Sequence, residues 1–154
     1  MGKIYFILLC ETFLTDKNVH MYNISGYNFI YRNRTNSNRG GVTMYIKDGF
    51  EYCERPDICI NVDGEFESLF IEIKSVEHKI ILGEIYRIPD TNEKTSIARF
   101  KNILEKLNTE KCDQILATDQ ILILPKLISI KIPLIYLTYS IPEALFQRLL
   151  SQRE

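Results

Sequence analysis

The stretch Lys79–Asn92, Lys-Ile-Ile-Leu-Gly-Glu-Ile-Tyr-Arg-Ile-Pro-Asp-Thr-Asn, constrains the fold more than any other. Lys79 to Ile85 reads as a buried strand that delivers Tyr86 and Arg87 to its C-terminal end and then stops. Pro89 has no N–H to give a strand ladder, and Pro-Asp-Thr-Asn is turn chemistry, so the polar pair sits at a sheet edge. Strand ends are where α/β and sandwich scaffolds place their chemistry. The same residues also read more plainly, as a tyrosine closing a core strand and an arginine paired with a nearby acid.

At 154 residues and 45% hydrophobic content the chain can build one domain with a core, or a piece of one. Its formal charge of −1 gives no whole-chain basic field, so any contact with nucleic acid must be local. Cys10, Cys53, Cys59 and Cys112 are scattered without a C-x-x-C pair. That spacing argues against zinc or a disulfide framework and fits reduced thiols in a cytoplasmic or nuclear protein. The apolar run Ile4–Cys10 meets Glu11 without a small-residue cleavage site, so it reads as a strand rather than a secretory leader. Ile121 to Leu137 is cut by Pro125, Lys126, Lys131 and Pro133, and a centred lysine costs roughly 2.5–3.5 kcal/mol in a membrane helix, so no membrane span is expected.

In chain order, Tyr5 to Cys10 reads as a strand buried on both faces and ending at Glu11-Thr12. Thr15 and Asp16 offer cap chemistry for a short helical turn. Tyr27–Tyr31 and Val42–Ile46 form a hairpin around a polar loop that carries Arg32, Arg34 and Arg39 and closes with Gly40-Gly41. Those arginines read either as phosphate contacts or as solvated loop residues. Phe50–Cys53 and Asp57–Val62 read as edge pieces around Pro56. Glu67–Lys74 alternates, with Leu69, Ile71 and Ile73 on one face. Ile97, Phe100, Ile103, Leu104 and Leu107 fall on one face of a helix over Lys94–Leu107. Ile115 to Thr118 is a further apolar strand, and it again runs into a carboxylate, Asp119.

Glu11 and Asp119 at two strand ends, with Tyr86-Arg87 at a third, can converge on one rim of a sheet. Close carboxylates repel, and a hard divalent cation relieves the repulsion; Mg²⁺ suits a site with few carboxylates and several retained waters. Such an ion polarises a phosphoryl oxygen and stabilises a leaving oxyanion, which points to phosphodiester chemistry.

Seven short motifs occur in one order: Leu9-Cys-Glu-Thr-Phe-Leu-Thr-Asp16, Gly26-Tyr-Asn-Phe, Arg39-Gly-Gly-Val, Tyr45-Ile-Lys-Asp48, Glu67-Ser-Leu-Phe-Ile-Glu-Ile73, Gly83-Glu-Ile-Tyr-Arg-Ile-Pro89 and Ala117-Thr-Asp-Gln120. In that order and spacing the chain resembles the endonuclease/exonuclease/phosphatase family, in particular the endonuclease domain of LINE-type (non-LTR) retrotransposon reverse-transcriptase proteins. The resemblance implies an α/β fold, a four-layered sandwich of two mostly antiparallel sheets like that of deoxyribonuclease I, here incomplete. It implies a Mg²⁺-dependent endonuclease acting on DNA, with no small-molecule cofactor. Glu11 resembles the metal-binding glutamate, Tyr86 the tyrosine that contacts the scissile phosphate, and Asp119 the aspartate that positions the water. Arg32, Arg34, Arg39 and Arg87 are the expected nucleic-acid contacts.

The chain departs from that pattern in three places. The family's first strand with its asparagine, which should precede Tyr5, is absent. Ile121 stands where the family carries a second asparagine. The late aspartate and histidine are missing, and neither His20 nor His78 occupies a matching position. Residues 1–120 are therefore expected to form a partial domain and residues 121–154 a divergent tail. Codons for the tail can be chosen that, read one base out of phase, resemble the family's continuation and restore the asparagine, so a lost base near Gln120 and Ile121 is the expected cause. Catalysis is expected to be lost in this chain. Two alternatives remain: a phosphatase or RNA-directed member of the same family, and a noncatalytic interaction fragment.

Overall fold

The computed structural model describes residues 4–34, 40–74 and 79–118. Its elements run β1 (Phe6–Cys10), a 3-10 turn (Val19–Tyr22), β2 (Tyr27–Arg32), β3 (Val42–Lys47), β4 (Glu51–Glu54), β5 (Phe66–Lys74), β6 (Lys79–Arg87), α1 (Glu93–Asn108) and β7 (Asp113–Thr118). The strands form two sheets, one of order β1-β3-β2 and one of order β4-β5-β6-β7. All pairings are antiparallel except β6 with β7, which α1 connects as a crossover. The fold is thus mixed α/β with two mostly antiparallel sheets, as the sequence predicts. The described residues supply three layers, a sheet on a sheet on a helix.

Side-chain parity along β5 and β6 builds both cores. Leu69, Ile71 and Ile73 on β5, with Ile80, Leu82 and Tyr86 on β6, pack against Ile30, Val42, Met44 and Ile46 of the first sheet. The alternate residues, Phe66, Phe70, Ile81 and Ile85, meet Phe100, Ile103, Leu104 and Leu107 of α1. Being buried on both faces, β6 needs near-continuous apolar sequence, which is what Ile80 to Tyr86 supplies. Gly83 interrupts that run because Phe70, its cross-strand partner, lies over it. A Cβ there would come within 2.1 Å of the Phe70 ring. The helix starts where Asn92 accepts a hydrogen bond from the Thr95 N–H at 3.2 Å.

Three local expectations change. β1 is the edge strand of a three-stranded sheet and is half-buried, with Leu9 42% exposed, because among the described residues no second sheet or long helix covers its outer face. The turn after β1 is pinned by the Asn18 carboxamide, which accepts from the Thr15 N–H at 2.8 Å, in place of a cap at Thr15 or Asp16. Of Asp57–Val62, only Val62 makes a bridge, to Phe66. All four cysteines are free thiols. Among the described residues no helix is long and apolar enough to cross a membrane. Residues 119–154, and with them the expected boundary at residue 120, lie outside the described residues.

An ion cluster joins the second sheet to the end of α1, at the edge of that sheet away from Tyr86. Arg55 pairs with Asp57 at 2.7 Å, with Glu72 at 2.8 Å and with Glu110, while Lys79 reaches Glu72 and Glu110 at 3.0 Å. The Arg55 guanidinium holds the Asp57 and Glu110 carboxyls below the usual carboxylate range. Carboxylates with depressed pKa values stabilise the fold above their unfolded values and lose that contribution as pH falls through the folded ones. Arg55→Met is therefore expected to lower unfolding stability near neutral pH by about 1–3 kcal/mol, between the values for exposed and buried pairs. In urea titrations that deficit shrinks as pH falls below about 4 and through the depressed folded values, as the wild-type carboxylates paired with Arg55 become protonated.

Candidate active site

The site begins with a bulge. The first sheet pairs Cys10 with Val42, but the next bonds run from the Thr12 N–H to the Gly41 carbonyl at 3.4 Å and from the Phe13 N–H to the Gly40 carbonyl at 2.8 Å. The register has slipped by one, and Glu11 is the extra residue. Its φ of +52° is the left-handed conformation that such bulges usually give to glycine. A carboxylate held in a strained backbone at a strand end is a feature that clusters at functional sites.

The bulge brings Glu11 to the second sheet. The Tyr86 hydroxyl donates a hydrogen bond to Glu11 Oε1, joining residues 75 apart in the chain. Tyr86 is buried in the core between the sheets, while Glu11 is exposed at the rim. One end of the bond is therefore fixed and the other is open to solvent.

Directly across the ladder from Tyr86 stands Glu67, 6% exposed. Arg34 Nε donates to its Oε1, and the Gly41 N–H donates to its Oε2 at 2.8 Å. Both oxygens of a buried carboxylate are thus satisfied, one by a charge and one by backbone. The side chains of Arg34 and Glu67 are 9% and 8% exposed. Gly40 and Gly41 sit at φ +81° and +92°. A Cβ on Gly40 would lie 2.1 Å from the Arg34 guanidinium, and one on Gly41 would lie 2.8 Å from Thr12 Oγ1. The glycine pair therefore lets the hairpin base close over Glu67 and receive the β1 bulge on its other side. Thr43 adds a weak bond to Thr12 at 3.5 Å.

Of the residues singled out from sequence, Glu11 and Tyr86 meet. The described arginines are engaged within the chain: Arg34 with Glu67, Arg32 with Glu54, and Arg87 with the Thr91 carbonyl at 3.5 Å. Arg87 follows Tyr86 and so points to the opposite face of the strand, anchoring the turn that leads to α1. Asp119, Arg39 and His78 lie outside the described residues; β7 ends at Thr118, one residue after Ala117, with Thr118 in register with Ile85. Motif and strand-end patterns do not single out Glu67, although the sequence carries a signal for it. It shares the parity of Leu69, Ile71 and Ile73, so the alternation places an acid on the apolar face. Glu84, 4% exposed and opposite Leu69, shows the same signature on β6.

Among the described residues no three His, Cys, Asp or Glu side chains gather as a metal cage. Glu67 is committed to Arg34 and Gly41, and Glu11 has a second carboxylate oxygen to offer. Among the described site residues, Glu11 is therefore the carboxylate that could ligate a hard cation such as Mg²⁺, which takes oxygen ligands and retains water.

No family model and no curated protein matches the chain. Among solved structures it is similar to the endonuclease domain of TRAS1, a telomere-specific non-LTR retrotransposon, with a TM-score of 0.48 and 13% sequence identity. The superposition covers 67% of this chain and 41% of that one, so the chain spans less than half the length of that domain.

Removing Arg34 strands a buried charge. Arg34→Met is expected to cost about 3–5 kcal/mol in urea unfolding, whereas Arg34→Met/Glu67→Leu recovers most of the loss. Strict additivity of the two single substitutions would contradict the buried pairing.

Proposed function

We propose that this chain carries the cation- and phosphate-binding half of a DNA endonuclease site of the non-LTR retrotransposon type, and that it binds without turning over. The observation that carries the reading is the hydrogen bond from buried Tyr86 to the exposed, strained Glu11. It sets a carboxylate and a phenol side by side at the rim, and the ordered motifs around both residues resemble that family.

In this reading Glu11 would hold Mg²⁺. The bound ion would supply Lewis acidity to a phosphoryl oxygen and relieve charge on the leaving oxygen. Tyr86 orients Glu11 and, when a phosphate enters, redirects its hydroxyl to a non-bridging oxygen. The Arg34–Glu67–Gly41 clasp fixes the floor beneath both, so little reorganisation is needed on binding. Asp119 is assigned to water positioning. Ile121 stands where the family's amide belongs and can neither donate nor accept a hydrogen bond. Losing one such polar group at a reacting centre costs roughly 2.7–4 kcal/mol.

A nicking assay on supercoiled plasmid, with gel-shift binding on the same DNA, tests both halves of the reading. Expected are Mg²⁺-dependent binding that Glu11→Ala and EDTA each abolish, and nicking indistinguishable from the Glu11→Ala control. Mg²⁺-dependent nicking by the wild-type chain would show that the site is active. Preference for RNA or for a phosphorylated small molecule would move it to another branch of the family. Folded protein that binds none of these overturns the reading.

A further inference from the structure

The first sheet ends on β1, and the hydrogen-bond phase of that strand shows what its open side presents. The Lys47 N–H donates to the Tyr5 carbonyl at 2.8 Å, so Tyr5, Ile7 and Leu9 turn their backbone groups toward β3. Phe6 and Leu8 lie between them and turn theirs away from the sheet. Among the described residues no backbone group answers Phe6 or Leu8 on that side. An open edge recruits another strand unless charge, proline or a bulge guards it. The other terminal strands carry charges: Arg32 on β2, Glu51 and Glu54 on β4, and Asp113 on β7. β1 is Phe-Ile-Leu-Leu-Cys, without charge or proline, and the bulge at Glu11 comes only after its last residue.

The same side of the molecule is apolar. All six large hydrophobic side chains exposed among the described residues, Ile4, Leu9, Phe13, Met21, Tyr22 and Ile24, lie within residues 4–24. The segment after β1 is tied to the outer face of the first sheet, where Thr43 bonds Thr12 at 3.5 Å and the Tyr45 hydroxyl donates to the Tyr22 carbonyl at 2.7 Å. At about 200 Å² for a large side chain, the exposed fractions of the six amount to on the order of 600 Å². That is the upper end of what a monomer leaves bare, and it approaches the roughly 800 Å² that each partner gives to a standard interface.

We propose that the chain forms a closed two-fold dimer through β1, which pairs antiparallel with β1 of a second copy about Leu8. The strand suits its own copy. In that register Leu8 faces the partner's Leu8, Phe6 faces the partner's Cys10 and Ile7 faces the partner's Leu9. A large side chain thus meets a small one on the core side, and no like charges stand opposite each other. The phase also agrees, because the outward backbone groups of Leu8 meet those of the partner's Leu8 as a hydrogen-bonded pair. A formal charge of −1 sets little repulsion between copies. Each β1 edge consumes the other, so the assembly stops at two and joins two three-stranded sheets into one.

Sedimentation velocity of the full chain, from micromolar to about 100 μM, is expected to show a monomer–dimer equilibrium with no larger species. Leu9→Lys sets a charge at an exposed position opposite the partner's Ile7. It is expected to raise the dimer dissociation constant at least about tenfold while keeping the wild-type circular dichroism. Ile7→Glu/Leu9→Lys gives each lysine a carboxylate across the two-fold axis and is expected to recover the dimer. Mild oxidation of Ile7→Cys/Leu9→Cys is expected to give a covalent dimer on a non-reducing gel, where the wild type, with its free native thiols, runs as a monomer. A wild-type chain that stays monomeric at the highest concentration overturns the proposal. So does a dimer that Leu9→Lys leaves intact and the double cysteine variant does not trap, which puts the interface elsewhere. An assembly that grows beyond two marks head-to-tail pairing of unlike edges and overturns it as well.

Discussion

The ladder between β5 and β6 is the constraint from which the rest follows. Both strands are nine residues long and pair over their whole length, and β6 is buried on its two faces from Ile80 to Tyr86. A doubly buried sheet tolerates a polar side chain only where a partner satisfies it. On the face turned toward the first sheet, Glu67, Glu84 and Tyr86 depart from an otherwise apolar row, and Glu67 and Tyr86 stand opposite each other next to the end of the ladder. That end forms a rim, and there the first sheet answers both.

It does so with two short segments. Gly40-Gly41 satisfies Glu67 from one side, and the bulge at Glu11 bonds to Tyr86 from the other. Because Thr12 and Phe13 are tied to Gly41 and Gly40, the two segments form one unit. Backbone strain at Glu11 and Phe13 is held in place by strand pairing on one side and a buried ion pair on the other. Local conformations of this kind persist only when the surroundings overdetermine them, and here the surroundings are the clasp on Glu67.

Much of this is legible in the sequence, for reasons that differ from residue to residue. The alternation of Leu69, Ile71 and Ile73, the helical spacing of Phe100, Ile103, Leu104 and Leu107, and the proline stop after β6 each encode a single element, so each can be read locally. Glu11 and Tyr86 stand out because a polar group directly at the end of an apolar run is conspicuous. The half-burial of β1 is not legible, because an apolar run records that a strand is apolar and not how many layers cover it. The partners of Arg32, Arg34 and Arg87 are set by sheet packing between distant segments, and loop composition carries no trace of them. Glu67 lay within reach through its parity with Leu69, but its meaning depends on Arg34 and Gly41, 33 and 26 residues away.

The rim is organised by the bond between Tyr86 and Glu11, and a double-mutant cycle on folding stability measures it most directly. Tyr86→Phe, Glu11→Ala and the double variant would be unfolded in urea without added metal or nucleic acid. A hydrogen bond to a charged group predicts a coupling of about 1.5–3 kcal/mol. Additivity to within about 0.5 kcal/mol would mean that the two side chains do not meet, and that the rim is not organised as a site.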